Sequence, residues 1–314
     1  MLIAHISDLH LNSFYKDSSF KNIHFLLKYI STKKVDHLII TGDITDNASE
    51  KDFEIFRRML KRQGFLSGDK VSIVIGNHDI FGGVQKAEDI FTFPDKCSAV
   101  NYNKHVSNFI SYFPDAYDNC YYLSQKEFFP FAKRINNTLL IGLNSIPEYS
   151  KLGNPFGSNG EINAAQFSEM FEILKSAEKD IKYKIVIVHH HFNKLKSQSK
   201  STFGSIWANI EKQTMKLKNK RRLFALFKEF NVDIVLHGHV HESKEYFRKG
   251  VRFLNAGATI KNNKHSMKIN FLNLTKGRIE IDIESIDLPI KLREDSFVGR
   301  KEEHIKLVNA ALLA

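Results

Sequence analysis

Five short apolar runs in this chain end in the same way, and that repetition narrows the folds open to it. Residues 2–6 run into Ser7-Asp8-Leu9-His10, residues 37–40 into Thr41-Gly42-Asp43, and residues 71–75 into Gly76-Asn77-His78-Asp79. Residues 185–188 run into His189-His190-His191, and residues 233–236 into His237-Gly238-His239. These runs are strand-sized and β-branched. The stretches at 20–30, 52–60, 164–175 and 221–230 instead carry apolar residues at helical spacing, as Ile23, Leu26, Leu27 and Ile30 do. Strands alternating with helices predict an α/β fold. Ligands of open α/β sheets bind beyond the carboxyl ends of the strands, so five strands that deliver Asp, Asn or His there predict a polar site along one sheet edge.

The remaining chain is less regular. Residues 80–138 read as an irregular insertion that caps or edges the site, with ten aromatics between 102 and 131, most of them expected in the core. From about residue 251 the apolar residues alternate, with Asn262-Asn263 and Lys276-Gly277 as turn signals, which predicts an antiparallel finish to a second sheet.

Composition excludes several classes. With 314 residues, 42% of them hydrophobic and 26% charged, the chain is neither disordered nor fibrous. Cys97 and Cys120 form no disulfide framework and no thiolate zinc site, so a reduced, cytoplasmic setting is expected. The N-terminus has no basic region followed by an apolar stretch, which points away from secretion. No apolar run approaches the roughly 20 residues that cross a bilayer, so no membrane partner is expected.

The strand-end residues themselves point to a metal. Carboxylate, imidazole and amide oxygen suit manganese, iron, zinc or nickel. In Asp8-x-His10 and His239-x-His241 two ligands lie two residues apart, a spacing that puts both on one face of an extended strand. Seven ligands exceed one tetrahedral ion and suit two ions that share a carboxylate, the arrangement that clamps both oxygens of a phosphoryl displacement.

The ordered set SDLH, GDITD, GNHD, VHHH and GHVH resembles the calcineurin-like metallophosphoesterase superfamily over roughly residues 1–285. The resemblance implies a two-sheet β-sandwich flanked by helices with a dinuclear site at one edge. It further implies that Asp8, His10 and His241 hold one divalent ion, that Asn77, His189 and His239 hold the other, and that Asp43 bridges them. Manganese is the first expectation. By the same resemblance His78 serves as general acid or charge stabiliser beside the leaving group, and Asp79 orients it. Within 189–191 the first histidine is the ligand, which leaves His190 or His191 to touch substrate. His24, His105 and His265 receive no role, and His5 is expected to be a buried, hydrogen-bonded imidazole.

Charge suggests the substrate. Lys and Arg number 46 against 35 Asp and Glu, a net charge of +11. Between Lys194 and Arg222 nine cations face one acid, Glu211, so most of that surplus lies between two ligand motifs. Such a segment can track a phosphate backbone, with Lys194 and Lys196 as contacts nearest His189, or it is simply solvated. A phosphodiester in nucleic acid is therefore the favoured substrate, which makes the protein a nuclease. A cyclic-nucleotide or other small-molecule phosphodiesterase is one alternative, and a non-catalytic nucleic-acid or partner-binding module is another.

The catalytic unit is expected to span 1–288 and to leave a linker and helix at 289–314. There Phe297-Val298-Gly299-Arg300, with Glu303 and Leu307, resembles the opening of STAND/AAA-type NTPase domains, although no GxxxxGK[ST] occurs in the chain. The stretch is then either the start of an NTPase module in a larger protein or an amphipathic helix docked on its own domain or on a dimer mate. Oligomeric state stays open.

Overall fold

In the computed structural model, described for residues 1–13, 17–84, 91–124, 127–193, 215, 217–257 and 266–287, two sheets pack face to face. Strands β1 (Leu2–Ile6), β2 (His37–Ile40) and β3 (Val71–Ile73) are parallel and joined by helices α1 (Asp17–Thr32) and α2 (Glu50–Arg62). Ser49 caps α2 by accepting from the Asp52 amide, and α2 carries acids in its first turn and bases in its last, as the helix dipole favours. The short helix α3 (Asn77–Ile80) follows β3, and α4 (Phe93–Ser98) and α5 (Tyr102–Tyr112) come next.

The second sheet then begins with β4 (Cys120–Tyr121), β5 (Phe131–Ile135) and β6 (Thr138–Gly142). Helix α6 (Ala164–Lys175) leads to β7 (Tyr183–Ile187), and α7 (Lys220–Glu229) leads to β8 (Ile234–His237), β9 (Lys244–Arg248) and β10 (Val251–Asn255). The order across it is β4-β5-β6-β7-β8-β10-β9, with β6, β7, β8 and β10 parallel. Strand β7 shows how the layers form. Ile185 and Ile187 join the apolar cluster shared with the first sheet, whereas Val186 and Val188 join the one under α6 and α7.

Two expectations are corrected. Residues beyond 251 do not all finish the second sheet: β11 (Ser266–Thr275) and β12 (Arg278–Asp287) return to the first, where β11 pairs antiparallel with β1, Leu2 opposite Asn273. Alternation announces a strand but not its partner, and β1 has an edge left open by β2 that β11 closes. The stretch read as an irregular insertion also supplies two helices and the strands β4 and β5. Strand β5 was hidden because Lys133 reads as a surface residue. Its ammonium is buried and donates to the carbonyls of Gly68 (2.7 Å), Val71 (3.0 Å) and Ala116 (2.8 Å), tying the second sheet to the chain around β3. Of the ten aromatics, Phe109, Phe113, Tyr117, Phe129 and Phe131 are buried, while Tyr121 and Phe128 are exposed. Residues 289–314 and His265 lie outside the described residues.

His37, at the start of β2, is buried beside that lysine. Its Nδ1–H donates to the Asp69 carbonyl (2.8 Å) and its Nε2 accepts from the Ser72 hydroxyl (2.9 Å), so the neutral ring is fully bonded. Burial lowers its pKa to about 4. A folded-state pKa below the unfolded value gives stability that is complete above about pH 6.5 and lost as pH falls toward 4, up to about 3 kcal/mol. His37→Gln is therefore expected to melt lower than wild type at pH 7, with a deficit that narrows by pH 4.5. Parallel melting curves across that range would contradict this account.

Candidate metal centre

Every parallel strand of both sheets ends at one edge, and the predicted ligands gather there. Asp8 and His10 follow β1, Asp43 follows β2, and Asn77 and His78 open α3 after β3. His189 follows β7, and His239 and His241 follow β8. The chain turns sharply at these points. Asp8, His10, Asp43 and His239 have φ of 54°, 46°, 52° and 73°, left-handed values that cost non-glycine residues about 1–3 kcal/mol each. Hydrogen bonds hold these turns: Asp8 N donates to Gly42 O (3.1 Å) and His10 N to Asp43 O (3.0 Å). The His239 amide donates to the Asp8 carboxylate at 3.0 and 3.1 Å. Gly42, at φ +89°, has no room for a side chain, because a Cβ there would meet Gly76 N at 2.6 Å and His189 Nδ1 at 2.8 Å.

The side chains converge in two sets. Around His189 Nε2 lie His239 Nδ1 (3.0 Å), Asn77 Oδ1 (3.1 Å) and Asp43 Oδ2 (3.4 Å). In the other set His10 Nε2 is 3.2 Å from His241 Nε2, and His241 Nε2 is 3.5 Å from Asp8 Oδ1. Asp43 Oδ2 stands 3.9 Å from His10 Nε2, so a single carboxylate oxygen faces both sets.

The donor set fits metal ions. His189 Nδ1 must carry the ring proton, since it lies 2.7 Å from the Thr41 carbonyl, which only accepts. In the neutral ring Nε2 would then turn a lone pair toward Asn77 Oδ1 and Asp43 Oδ2, both acceptors. Lone pairs aimed at one point call for a cation. His239 Nε2 is also buried without a hydrogen-bond partner among the described residues. In the metal-free protein protons answer part of this demand. Burial opposes charge on His189, yet the Asp43 carboxylate holds its pKa at about 9. Burial likewise opposes ionisation of Asp43 and Asp8, but neighbouring imidazoles hold both well below the usual carboxylate range.

Three predicted residues stand differently from expectation. Asp79 does not orient His78. Its carboxylate accepts from Thr45 N (2.9 Å) and Gly76 N (3.0 Å), which fixes the α3 turn, and burial together with the Asp43 charge pushes its pKa up to about 7. His190 is buried with both ring nitrogens engaged, Nδ1 with Ser145 Oγ (2.8 Å) and Nε2–H with Ser158 O (3.1 Å), and so does not reach substrate. His191 is buried as well, its ring stacked 5.8 Å from that of His239. Lys194 and Lys196 lie outside the described residues.

The residue that sequence reasoning missed is Asp46. His78 Nδ1 lies 3.1 Å from the Asp46 carbonyl and 3.4 Å from its carboxylate, which also stands 3.3 Å from His10 Nδ1. Burial would raise the Asp46 pKa, but these two imidazoles hold it far below the ordinary range. The signal was present in GDITD, whose second carboxylate follows Asp43 by three residues. His78 stands at the rim, its side chain 21% exposed. His5 is buried, as expected, with Nε2 at 3.0 Å from Thr41 Oγ1.

The sequence model of the family described as calcineurin-like phosphoesterase matches residues 1–243. A protein of Ruthia magnifica subsp. Calyptogena magnifica named "Probable cyclic nucleotide phosphodiesterase" is 22% identical over 289 residues, 90% of this chain and 97% of that protein. The crystal structure of a dimetal phosphatase from Danio rerio superposes with a TM-score of 0.58 at 12% identity and covers 92% of this chain and 99% of that one. A purple acid phosphatase from yellow lupin seeds gives 0.51 at 10% identity, over 91% and 53%. These two likenesses show the fold. No helix among the described residues is long and apolar enough to cross a membrane.

Proposed function

This chain belongs to the calcineurin-like phosphoesterase family, and we propose that within it the protein is a dinuclear metal-dependent phosphodiesterase that hydrolyses nucleic acid. The observation that carries the proposal is the pair of converging ligand sets facing one oxygen of Asp43, with His78 at the rim. Two divalent ions held there, manganese first among those to supply, would neutralise the phosphate and provide a nucleophile at neutral pH. The protein's own groups do the rest. Asp8, His10, Asp43 and His241 would hold one ion, and Asp43, Asn77, His189 and His239 the other. His78, aligned through its Nδ1 contact with Asp46, would give a proton to the leaving oxygen.

Nucleic acid is favoured as substrate by the surplus of cations between His189 and His239. The cyclic-nucleotide reading is favoured by the name of the Ruthia relative. Purified protein supplied with Mn²⁺ and assayed on single- and double-stranded DNA, RNA, cyclic AMP and bis(p-nitrophenyl) phosphate separates the two. Cleavage of a polynucleotide is expected. Hydrolysis of cyclic AMP with inertness toward every polynucleotide would reverse the choice. We read residues 297–300 as the start of an NTPase module for which this domain is the effector, and a stop codon directly after codon 314 of the gene would end that reading.

A further inference from the structure

Helix α7 and the turn between β9 and β10 border a groove of about 890 Å³ whose lining includes six cations, Lys220, Arg221, Arg222, Lys228, Arg248 and Lys249, and no acid among the described residues. Part of that charge is used in packing, since the Arg222 guanidinium lies over the Phe167 ring at 4.4 Å. Lys220, Arg221 and Arg222 occupy the first turn of α7, the positive end of the helix dipole, with no acidic residue in that turn and no side-chain capping bond from Asn219, whose amide instead donates to Glu161 Oε1 at 3.3 Å. Cations there work against the helix. Arg248 is anchored by donating to the Phe192 carbonyl, and its guanidinium lies over the Phe224 ring at 5.5 Å. Phe224, which lines the groove, packs against the buried rings of Phe192 and Phe253.

The groove also lies where a long substrate would pass. Because α7 connects the parallel strands β7 and β8, it runs antiparallel to them, which brings its first turn to the sheet edge that carries His189 and His239. From there ten helical residues extend away from the centre for about 15 Å. A cyclic nucleotide held at the ions would not span that length.

On the nuclease reading, we infer that this groove is an exosite for the phosphate backbone of a polynucleotide whose scissile phosphate lies at the metal centre. Its three arginines suit bidentate contact with phosphate oxygens. The occupant is a nucleic-acid strand rather than an anionic membrane, because the cations line a concavity rather than a flat face.

The test is binding of a thirty-nucleotide single strand to the full chain in chelator, without hydrolysis, followed by fluorescence anisotropy. Arg221→Gln/Lys228→Gln/Lys249→Gln is expected to raise Kd at least about tenfold and to flatten the slope of log Kd against log salt by about 2, at about 0.7 per lost phosphate contact. A control with the same charge change elsewhere, Lys61→Gln/Lys175→Gln/Lys268→Gln, is expected to shift Kd less than about twofold. Equal effects of the two variants would make the binding a matter of net charge and overturn the exosite. Loss of binding to phosphatidylserine vesicles with an unchanged strand Kd would overturn it in favour of a membrane surface. Circular dichroism of both variants checks their fold, and Lys228→Gln alone, expected to flatten the slope by a third as much, serves if the triple variant is unfolded. Turnover of the same strand with Mn²⁺ is read separately, so the hydrolytic proposal can fail while the groove stands, and the reverse.

Discussion

Asp43→Asn is expected to lower kcat for phosphodiester hydrolysis by on the order of 10³-fold or more and to strip the protein of most of its divalent metal. The two carboxylate oxygens of Asp43 have different tasks. Oδ1 accepts from the His78 amide at 2.8 Å, while Oδ2 faces His189 Nε2 at 3.4 Å and His10 Nε2 at 3.9 Å. An asparagine that keeps the first contact must turn its NH₂ toward the second. The bridging position then offers a donor and no charge where two cations need an anion. The sheet scaffold is untouched, so the protein is expected to fold. Elemental analysis of protein purified with Mn²⁺, paired with turnover of bis(p-nitrophenyl) phosphate, checks both parts. Wild-type turnover with full metal would remove Asp43 from the shared position.

His78→Ala is expected to lose roughly 10²–10³-fold in kcat while keeping its metal and its KM. His78 is the ring at the rim, and its Nδ1 is occupied by Asp46. Its loss should fall on proton delivery to the leaving oxygen. The defect is therefore expected to be largest for a nucleotide ester, whose alkoxide leaves poorly, and to shrink for p-nitrophenolate, which leaves without a proton. His10, Asp46 and His78 also bring ligand atoms close together. Loss of metal in His78→Ala, with equal damage to both substrates, would assign His78 to a metal instead. Persistence of metal-dependent hydrolysis in both Asp43→Asn and His78→Ala would refute the proposed roles outright.

What sequence could and could not reveal follows from what periodicity encodes. Apolar runs that break into Asp, Asn and His at their carboxyl ends marked the site edge, because side-chain type and strand end are both local properties. Pairing is not local. Nothing in the alternation of residues 266–287 says that these strands return to β1. Lys133 concealed β5 for a related reason: a lysine is read as solvent-facing unless the three carbonyls that receive it are known, and these come from parts of the chain up to 65 residues away. The VHHH motif held three similar rings whose roles depend on partners elsewhere, Thr41 for His189 and Ser145 and Ser158 for His190. Asp46 lies within the GDITD motif, but its role is not legible there, since its proximity to His78 is created by the turn after β2.

The split of the ligands between the two sheets also sets when the centre can exist during synthesis. Asp8, His10, Asp43 and Asn77 leave the ribosome in the first quarter of the chain, but they have no imidazole partners from the second sheet until His189, His239 and His241 follow. His10 meets His241 across 231 residues of sequence. Strand β1, which carries Asp8 and His10, waits longer still for β11 at its open edge. A growing or prematurely ended chain is therefore silent rather than weakly active. Hydrolysis is thereby expected only once almost the whole domain has been made.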